Sequence, residues 1–540
     1  MNRWLLLLLA VTALAYQGMA TAGFVWDDIP LIVQNQALET ASISSIFGSD
    51  LWADSGAGDV ASGYYRPMVL LSFVVDRALF GLEPLGYHLH SLCWHLLAVV
   101  GIFYLSRAVM GAHGALIAAA VFALHPVQSE VVVWIAARND LMAAAFGFFA
   151  LLCVWDGARP SRWSWCGAMF LSMLAGLSKE TAFVLPALLL AGDIARSQRE
   201  GMWVRVSSLA VGVGGVLLIR VVIGVGEDVM PSTEGWSLMA SSFPLWAGIT
   251  GASIVSPWPL SSARDLSWMS LVPTTRVIVG LGFWLCLGVV AWATTKERRR
   301  IVWMGCGWAA LLLGITLVPV ADKGGFGDRF LYWPMAGLGM VFGVCFAQWW
   351  KSLVPLFVIL SVVILHVRLP DWAHDRTLWG AAMRDVPTPT NELSLGHALT
   401  LHSRHKRAHV SFASVLAGRQ VDMEACAPVI GSAMRSGLHV HALRMGQWAV
   451  ARGCLQSGVM NGWLATSAAM TGEWEVAARW AHAEPEDPKG RSRVVQAAIA
   501  KRAGDKDAYA RIERQWAGED SLDSQVKALV RAGEPAATRR

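Results

Sequence analysis

Long apolar runs dominate this 540-residue chain up to about residue 370. A helix of about twenty apolar residues is long enough to cross a hydrocarbon core of roughly 30 Å, and runs of that kind recur throughout this part. Only 15% of all residues are charged, and mean hydropathy is +0.46. The sequence therefore predicts an all-α polytopic membrane domain over residues 1–370 and a soluble helical domain over residues 371–540.

Basic clusters between the apolar runs indicate the orientation, because Lys and Arg in short loops stay on the cytoplasmic side of a membrane. Clusters occur at 159–162, 196–205 and 296–300. If all of them lie inside, the chain has about eleven spans, a cytoplasmic N-terminus and an extracytoplasmic C-terminal domain. These spans are predicted at 4–22, 86–107, 111–124, 139–155, 163–177, 180–195, 203–223, 272–294, 301–320, 330–349 and 353–368. The apolar stretch 238–258 does not fit the alternation and is interpreted as a re-entrant or surface helix.

The N-terminal apolar run is interpreted as a retained signal anchor, although Gly18-Met19-Ala20 would also suit cleavage of a signal peptide. The outer loop that follows, 24–85, is expected to carry interfacial helices. Residues 68–80 are apolar with Asp76 and Arg77 on one side, a pattern typical of a helix lying in the membrane interface. The alternative for 68–80 is one half of a spanning hairpin.

Ionisable residues gather at the predicted outer ends of the spans. Charges near hydrocarbon are costly unless they face a polar cavity or one another, so several outer turns with both acids and bases predict one shared polar site. The alternative for each of these residues is a side chain that only reaches the headgroups. They are Asp27, Asp28, His125, Glu130, Arg138, Asp140, Lys179, Glu180, Asp322, Lys323, Asp328 and Arg329.

Two adjacent carboxylates, Asp27 and Asp28, directly follow the first apolar run. The positive-inside rule does not explain acidic residues at that place. Carboxylates held at a membrane surface suit general-base chemistry on a hydroxyl, whereas the structural alternative is a helix N-cap. We interpret them as the strongest catalytic candidates.

Several short motifs occur in a fixed order along the membrane domain. They are Phe24-Val25-Trp26-Asp27-Asp28, Tyr65-Arg66-Pro67, Gly86-Tyr87-His88-Leu89-His90, Leu124-His125-Pro126-Val127 with Glu130 and Arg138-Asn139-Asp140, Ser178-Lys179-Glu180-Thr181, and Asp328-Arg329-Phe330-Leu331-Tyr332-Trp333-Pro334. Together they resemble the transmembrane-and-TPR protein O-mannosyltransferases and their bacterial relatives, which belong to the GT-C superfamily of membrane glycosyltransferases.

The resemblance implies inverting transfer of a sugar, mannose or similar, from a polyprenyl-phosphate-linked donor to an acceptor hydroxyl at the outer face of the membrane. For a bacterial relative, that membrane is the inner (cytoplasmic) membrane and the C-terminal domain is periplasmic. Asp27 is then the expected general base, with Asp28 second. The departing phosphate needs fixed cations, and Lys179, Arg329 and Arg138 are the candidates.

Four further residues each have alternative roles in this scheme. Glu130 and Asp140 supply a second acidic position, where either could pair with a cation or ligate a divalent metal, so metal and cofactor stay open. His125 either contacts the donor phosphate or caps the turn with Pro126. Tyr332 either reaches the same phosphate or anchors the interface.

The C-terminal domain carries a faint repeat. Ser403 with Ala408, Gly437 with Ala442, and Gly472 with Ala477 keep one offset, and their starts recur at the period of TPR helix pairs; Gly504 continues the series. A short, degenerate TPR-like α-solenoid is expected, which could present an acceptor protein or bind another partner. Cys426 and Cys454 in this domain could form a disulfide.

Other functional classes find less support. No P-loop or dinucleotide fingerprint occurs, and nucleic acid is not an expected partner, whereas membrane lipid is. A secondary transporter with a TPR docking tail remains an alternative, although transporters usually place functional charges near the midplane and show internal repeats. A silent scaffold is a further alternative, against which the intact Asp27-Asp28 pair argues. For an enzyme, the acceptor is protein Ser/Thr or, alternatively, a lipid or surface glycan.

Overall fold

The computed structural model of the chain describes residues 3–53, 55, 62–155, 160–225, 231–257, 264–265, 273–323, 325–385, 388–401, 403–417, 426–451, 458–483, 491–514, 526 and 529. The chain divides into two compact units, Met1–Val386 and Pro387–Arg540. Both are helical, and the one strand pair among the described residues joins Arg264–Asp265 to Gly325–Phe326 in antiparallel register. The predicted all-α class is confirmed.

The first unit contains the apolar helices and the segments that connect them. Its α-helices are α1 (Arg3–Ala15), α2 (Ala37–Thr40), α3 (Ile43–Gly48), α4 (Pro67–Phe80), α5 (Pro84–Leu124), α6 (Ser129–Val133), α7 (Arg138–Trp155), α8 (Arg162–Gly176), α9 (Leu185–Arg196), α10 (Met202–Ile223), α11 (Thr233–Val255), α12 (Thr274–Ala293), α13 (Lys296–Lys323), α14 (Pro334–Phe346), α15 (Trp350–Arg368) and α16 (Asp375–Asp385). The last apolar helix ends near residue 370, but the unit continues through α16.

Eight segments among the described residues are long and apolar enough to cross a membrane. They are Arg3–Thr21, Pro84–Leu124, Ile135–Trp155, Met202–Ile223, Thr233–Val255, Thr274–Ala293, Arg298–Asp322 and Pro334–Ala373. These segments support a multi-pass membrane protein. The remaining predicted spans, at 163–177 and 180–195, correspond to the shorter helices α8 and α9.

Two of these segments are about twice as long as a crossing requires. Left-handed Gly111, with φ of 76°, interrupts α5, and a 3-10 turn at Ala347–Trp349 separates α14 from α15. A reversed φ is readily adopted only by glycine, so Gly111 can redirect the chain between two helices. The halves agree with the paired spans predicted from the sequence.

The stretch 238–258 lies largely within α11, a continuous helix of 23 residues, so a re-entrant hairpin does not form there. At one end, Gly235 packs against the carbonyl of Ala321 near the end of α13. At the other end, the Ile254 carbonyl accepts a hydrogen bond from His125 Nε2. Both contacts are with predicted outer turns, as a surface helix would make, but Thr233–Val255 is also long and apolar enough to cross a membrane, so the placement of 238–258 stays a prediction.

Close contacts between small residues join the apolar helices. Between α11 and α12, a Cβ atom on Gly280 would lie only 1.6 Å from the carbonyl oxygen of Gly248, so this crossing requires glycine. Small residues let helix backbones approach within a membrane, where association has little hydrophobic driving force. The outward Leu285 and Trp292 of α12 are 71% and 76% exposed, as expected of a face that contacts lipid.

Helix α4 lies in the outer loop where an interfacial helix is predicted, and it begins with Pro67 at its first turn. The two charged residues predicted to form one polar edge of this helix have different partners and different burial. Asp76 is fully buried and pairs with Arg138, whereas Arg77 pairs with Glu39 at 2.6 Å. A buried carboxylate requires a partner, and the sequence pattern alone could not identify it.

The second unit is built of successive helix hairpins. Its helices are α17 (Pro389–Leu401), α18 (His405–Ala417), α19 (Cys426–Arg435), α20 (His439–Ala451), α21 (Gly458–Met470), α22 (Trp474–Ala481), α23 (Arg491–Ala503) and α24 (Lys506–Arg514). Consecutive helices pack against one another around one hydrophobic core. The proposed disulfide involves Cys454, which lies outside the described residues.

The turns of these hairpins fall at the repeat positions read from the sequence. Ser403, Gly437, Gly472 and Gly504 all have positive φ, at 55°, 76°, 82° and 74°. The alanines that follow in the first three hairpins, Ala408, Ala442 and Ala477, are completely buried. The period therefore reflects a left-handed turn followed by a small residue at a helix contact. The name TPR-like stays a prediction.

Candidate functional site

A cavity of about 310 Å³ lies where several predicted outer turns of the first unit meet. Its charged lining residues are Asp27, Arg66, Asp140, Lys179, Glu180 and Arg329, and its aromatic ones are Trp52, Tyr64, Trp134, Phe330 and Trp333. Apolar walls with a few converging polar groups are typical of ligand sites. The structure thus brings four predicted site residues, Asp27, Asp140, Lys179 and Arg329, to one cavity.

The turn that carries Asp27 is held on both sides. Asp28 is fully buried, and its carboxylate accepts hydrogen bonds from the amides of Ala136 at 2.7 Å and Val25 at 3.1 Å. These bonds fasten the turn to the segment before α7. Asp28 does not line the cavity, so the predicted role as a second base does not fit this geometry.

Asp27 is half-buried and faces the cavity. Burial raises the pKa of Asp27 to about 6; the Arg329 guanidinium opposes this rise, and the Asp375 carboxylate adds to it. A general base is most effective when its pKa lies near the working pH, because it is then both ionised and basic. Asp27 is therefore suited to accept a proton from a hydroxyl group at neutral pH.

Lys179 extends from the turn between α8 and α9. Its Nζ lies 2.5 Å from Asp140 Oδ2 on α7, and both side chains line the cavity. Burial lowers the pKa of Lys179, an effect that the Asp140 carboxylate opposes. Of the two predicted second acidic residues, Asp140 is the one that reaches the cavity, where it orients Lys179.

Arg66 is a second cation in the cavity, positioned just before α4. Its Nε and Nη2 donate to the same Glu180 oxygen, at 3.1 and 2.8 Å. The other Glu180 oxygen accepts from Arg220 Nη1 at 3.0 Å. Glu180 therefore ties three separate stretches of the chain together at the edge of the site.

Arg329 is the third cation, and Glu130 determines its position. Glu130 is buried and accepts from the Arg329 side chain at 2.8 Å and from the Arg329 amide at 3.1 Å. The guanidinium carbon lies 5.2 Å from the ring centre of Trp26 and 5.4 Å from that of Trp134. Burial raises the pKa of Glu130 to about 7, and Arg329 opposes that rise. Glu130 acts through Arg329, since it does not line the cavity.

Arg138, predicted to bind the donor phosphate, does not reach the cavity. Its side chain is fully buried and pairs with Asp76 at 2.5 Å. It also donates to the Tyr87 carbonyl and to the hydroxyls of Ser91 and Ser72. A guanidinium saturated in this way stabilises the packing of α4, α5 and α7, so the predicted phosphate contact does not fit.

His125 and Tyr332 likewise have structural partners. His125 Nδ1 accepts from the Val127 amide and its Nε2 meets the Ile254 carbonyl, which is the turn-capping alternative. The Tyr332 hydroxyl is buried and lies 2.9 Å from His95 Nδ1. Neither residue lines the cavity, so their predicted phosphate contacts are not supported by the geometry.

A metal site does not take shape in the part of the chain that the structure describes. No group of three or more His, Cys, Asp or Glu side chains there is arranged to hold an ion. Asp140 and Glu130, the candidate ligands, each engage a basic side chain instead. The residues present therefore do not fit the divalent metal that the sequence left open.

Three residues of this region had no role predicted from the sequence. Arg66 lies in the Tyr65-Arg66-Pro67 motif and Glu180 lies next to Lys179, so the sequence motifs could have identified both as site residues. No sequence motif identifies Asp375, which follows the last apolar helix. Its Oδ1 accepts a hydrogen bond of 2.6 Å from the amide of Trp26. The two residues are 349 positions apart, a separation that local patterns cannot bridge.

Comparisons with known proteins agree with the resemblance in the motifs. Residues 67–224 match the family described as dolichyl-phosphate-mannose-protein mannosyltransferase. The protein O-mannosyl-transferase TMTC4 of Mus musculus is 23% identical over 70% of this chain, and the match spans 61% of that protein. TMTC3 of the same species is 23% identical over 74% of this chain and 50% of its own length. The chain thus spans about half to three fifths of these relatives.

A shorter region has higher identity to another relative. The protein O-mannosyl-transferase Tmtc1 of Drosophila melanogaster is 32% identical over 34% of this chain and 21% of its own length. Among solved structures, ArnT from Cupriavidus metallidurans bound to undecaprenyl phosphate is 17% identical, covers 87% of this chain and 80% of its own, and has a TM-score of 0.37. The chain is thus similar in sequence to protein O-mannosyl-transferases, most extensively over its first unit.

Proposed function

We propose that this protein transfers a sugar, mannose or similar, from a polyprenyl-phosphate-linked donor to an acceptor hydroxyl at the outer face of a membrane. The observation that carries the proposal is the single cavity in which Asp27 faces Arg66, Lys179 and Arg329. A base for the acceptor and cations for a departing phosphate are what inverting glycosyl transfer requires.

In the proposed reaction, Asp27 takes the proton of the acceptor hydroxyl as its oxygen attacks the anomeric carbon of the sugar. A glycosidic bond forms on one side of that carbon, while the bond to the phosphate oxygen breaks on the other. The bonding electrons leave with the polyprenyl phosphate. A positioned base typically contributes about 10² to 10⁴-fold to such a step.

The cations stabilise the negative charge that develops on the leaving phosphate. Lysine has three N–H donors, and the bond to Asp140 occupies one donor of Lys179. Arg66 engages Glu180 through Nε and Nη2, and its Nη1 takes no part in those two bonds. Both residues can therefore bind phosphate oxygens while their carboxylate partners hold them in place.

The second unit supports protein as the acceptor class. Successive helix hairpins form surfaces on which peptides commonly bind, and the relatives are described as protein O-mannosyl-transferases. We therefore infer that the unit binds the protein whose Ser/Thr accepts the sugar, in a bacterial inner membrane with this unit in the periplasm. A lipid or surface glycan is the alternative acceptor.

The test is a transfer assay on the purified full chain with a panel of polyprenyl-phosphate sugars. Separate arms offer a Ser/Thr-rich protein, a glycolipid and an oligosaccharide as acceptor. We expect the parent to transfer at least one sugar, Asp27→Asn to lose turnover while it retains donor binding, and Lys179→Ala to bind donor more weakly. No transfer in any arm, or unchanged turnover of Asp27→Asn, contradicts the proposal.

Two matched variants control for loss of charge elsewhere. Arg77→Ala removes a paired cation of the outer loop, and Asp371→Asn removes a carboxylate that pairs with Arg368. Neither Arg77 nor Asp371 lines the cavity. Both variants should retain parental turnover and donor affinity.

A further inference from the structure

The residue before the proposed base has an unusual backbone. Trp26 has φ of 54°, in the left-handed region, and is one of three non-glycine residues with positive φ among those that the structure describes. A bulky residue in that region is strained and persists only where its surroundings hold it. Something must therefore maintain this conformation immediately beside Asp27.

Aromatic rings around Trp26 help to hold this conformation. The indole of Trp26 stacks on Trp134, with ring centres 4.5 Å apart and planes 9° apart. Trp379 of α16 meets the same indole edge-on at 5.1 Å. Contacts of this kind fix the side chain, but they do not fix the orientation of the Trp26 amide.

Asp375 fixes that amide. It is buried at the start of α16, and its Oδ1 accepts the Trp26 N–H at 2.6 Å. A second tether from the same segment runs from the Gly23 amide to the Trp372 carbonyl at 3.2 Å. The segment after the last apolar helix thus holds the turn through two hydrogen bonds just before Asp27.

We propose that Asp375 is a positioning residue for Asp27: its carboxylate fixes the left-handed turn at Trp26 and places a second negative charge beside the base. The inference rests on the proposed function. Asp28 and its bond to Ala136 hold the other side of the turn, so Asp27 is clamped between two buried carboxylates. Loss of either of these two side chains should change the orientation of the Asp27 side chain and leave the residues that contact the donor in place.

The charge of Asp375 has a separate consequence for the ionisation of Asp27. Burial and Asp375 raise the pKa of Asp27, and Arg329 lowers it. Loss of the Asp375 charge should therefore move the acid limb of the rate profile to lower pH. The other charged groups near Asp27 include Asp28 on its own turn, Glu130 behind Arg329 and, around the cavity, Arg66, Asp140, Lys179 and Glu180.

Two substitutions separate these effects. Asp375→Asn keeps an oxygen acceptor for the Trp26 amide but loses the charge, so we expect kcat near the parent at alkaline pH and an acid limb shifted to lower pH. Asp375→Ala loses both, and we expect kcat to fall on the order of 10²-fold with an unchanged KM for the donor. Asp371→Asn, in the same segment, should leave both quantities unchanged.

One readout does not depend on turnover. Hydrogen–deuterium exchange of the peptide that contains Trp26 should rise in Asp375→Ala and stay low in Asp375→Asn. If the parent transfers no sugar, the proposed function fails while this exchange difference still decides the positioning. The inference is overturned if both Asp375 variants have the same kcat, the same pH midpoint and the same exchange as the parent. If Asp375→Ala does not fold, the pH midpoint of Asp375→Asn decides the test.

Discussion

At the scale of single residues, the site depends on carboxylates of the same type placed in different surroundings. Asp27 faces the cavity, whereas Asp28 beside it is enclosed by two backbone amides. Asp140 orients Lys179, and Glu130 orients Arg329. Residue type and sequence position therefore identify the candidates, but the partner of each carboxylate determines its role.

The first prediction concerns the pH dependence of the parent protein. Because Asp27 must be ionised to accept a proton and burial raises its pKa to about 6, turnover should fall as the pH drops through about 6. It should be maximal above that value. A profile of kcat against pH measures this directly, and a midpoint near 4 or a flat acid limb would argue against Asp27 as the base.

The second prediction concerns the structural role of Arg138. Arg138→Ala leaves the buried Asp76 with His90 as its remaining partner, which should lower the free energy of unfolding by about 3 kcal/mol. Thermal melting of the purified protein measures the loss. Arg77→Ala breaks a pair whose acid, Glu39, is 58% exposed, and should cost no more than about 1 kcal/mol. Equal melting temperatures of the two variants would contradict the assignment.

At the scale of elements, hydropathy and turn residues could predict most of the fold. Apolar runs determine where helices cross, and the break at Gly111 follows from a glycine between two such runs. The repeat of the second unit was readable because each turn needs a left-handed residue. These signals are local, so one stretch of sequence contains them.

Contacts between distant elements could not be predicted in the same way. Arg138 looked like an outer cation, but its partner Asp76 lies on another helix, and the pattern around Asp76 suggested a surface. Asp375 joins the site from a helix beyond the last apolar run. Such pairings depend on three-dimensional packing, which neither periodicity nor short motifs encode.

The third prediction concerns the hairpin turns of the second unit. Gly437 has φ of 76° and open space around its Cα, so a side chain there meets backbone strain but no clash. Gly437→Ala should cost roughly 1–2 kcal/mol, and Gly437→Asn less, because asparagine tolerates the left-handed region. Hydrogen exchange of α19 and α20 in the full chain measures the difference. Equal protection in both variants would contradict the turn assignment.

At the scale of the whole molecule, sugar transfer in one cavity requires all cavity-forming turns to lie on one side of the membrane. The fourth prediction tests this sidedness with single cysteines at two exposed positions. Ser44→Cys, in the outer loop, should react with an impermeant thiol reagent in intact cells. Arg199→Cys, in the turn between α9 and α10, should react only after permeabilisation. Labelling of both from one side would contradict the predicted orientation.

The most direct test of the central claim is an experimental structure of the full chain with a polyprenyl phosphate bound. We expect the phosphate to lie in the cavity, within hydrogen-bonding distance of Lys179 and Arg66, with Asp27 facing the position of the sugar carbon. A phosphate bound beside Arg138, or on the side of the basic loops, would contradict the claim.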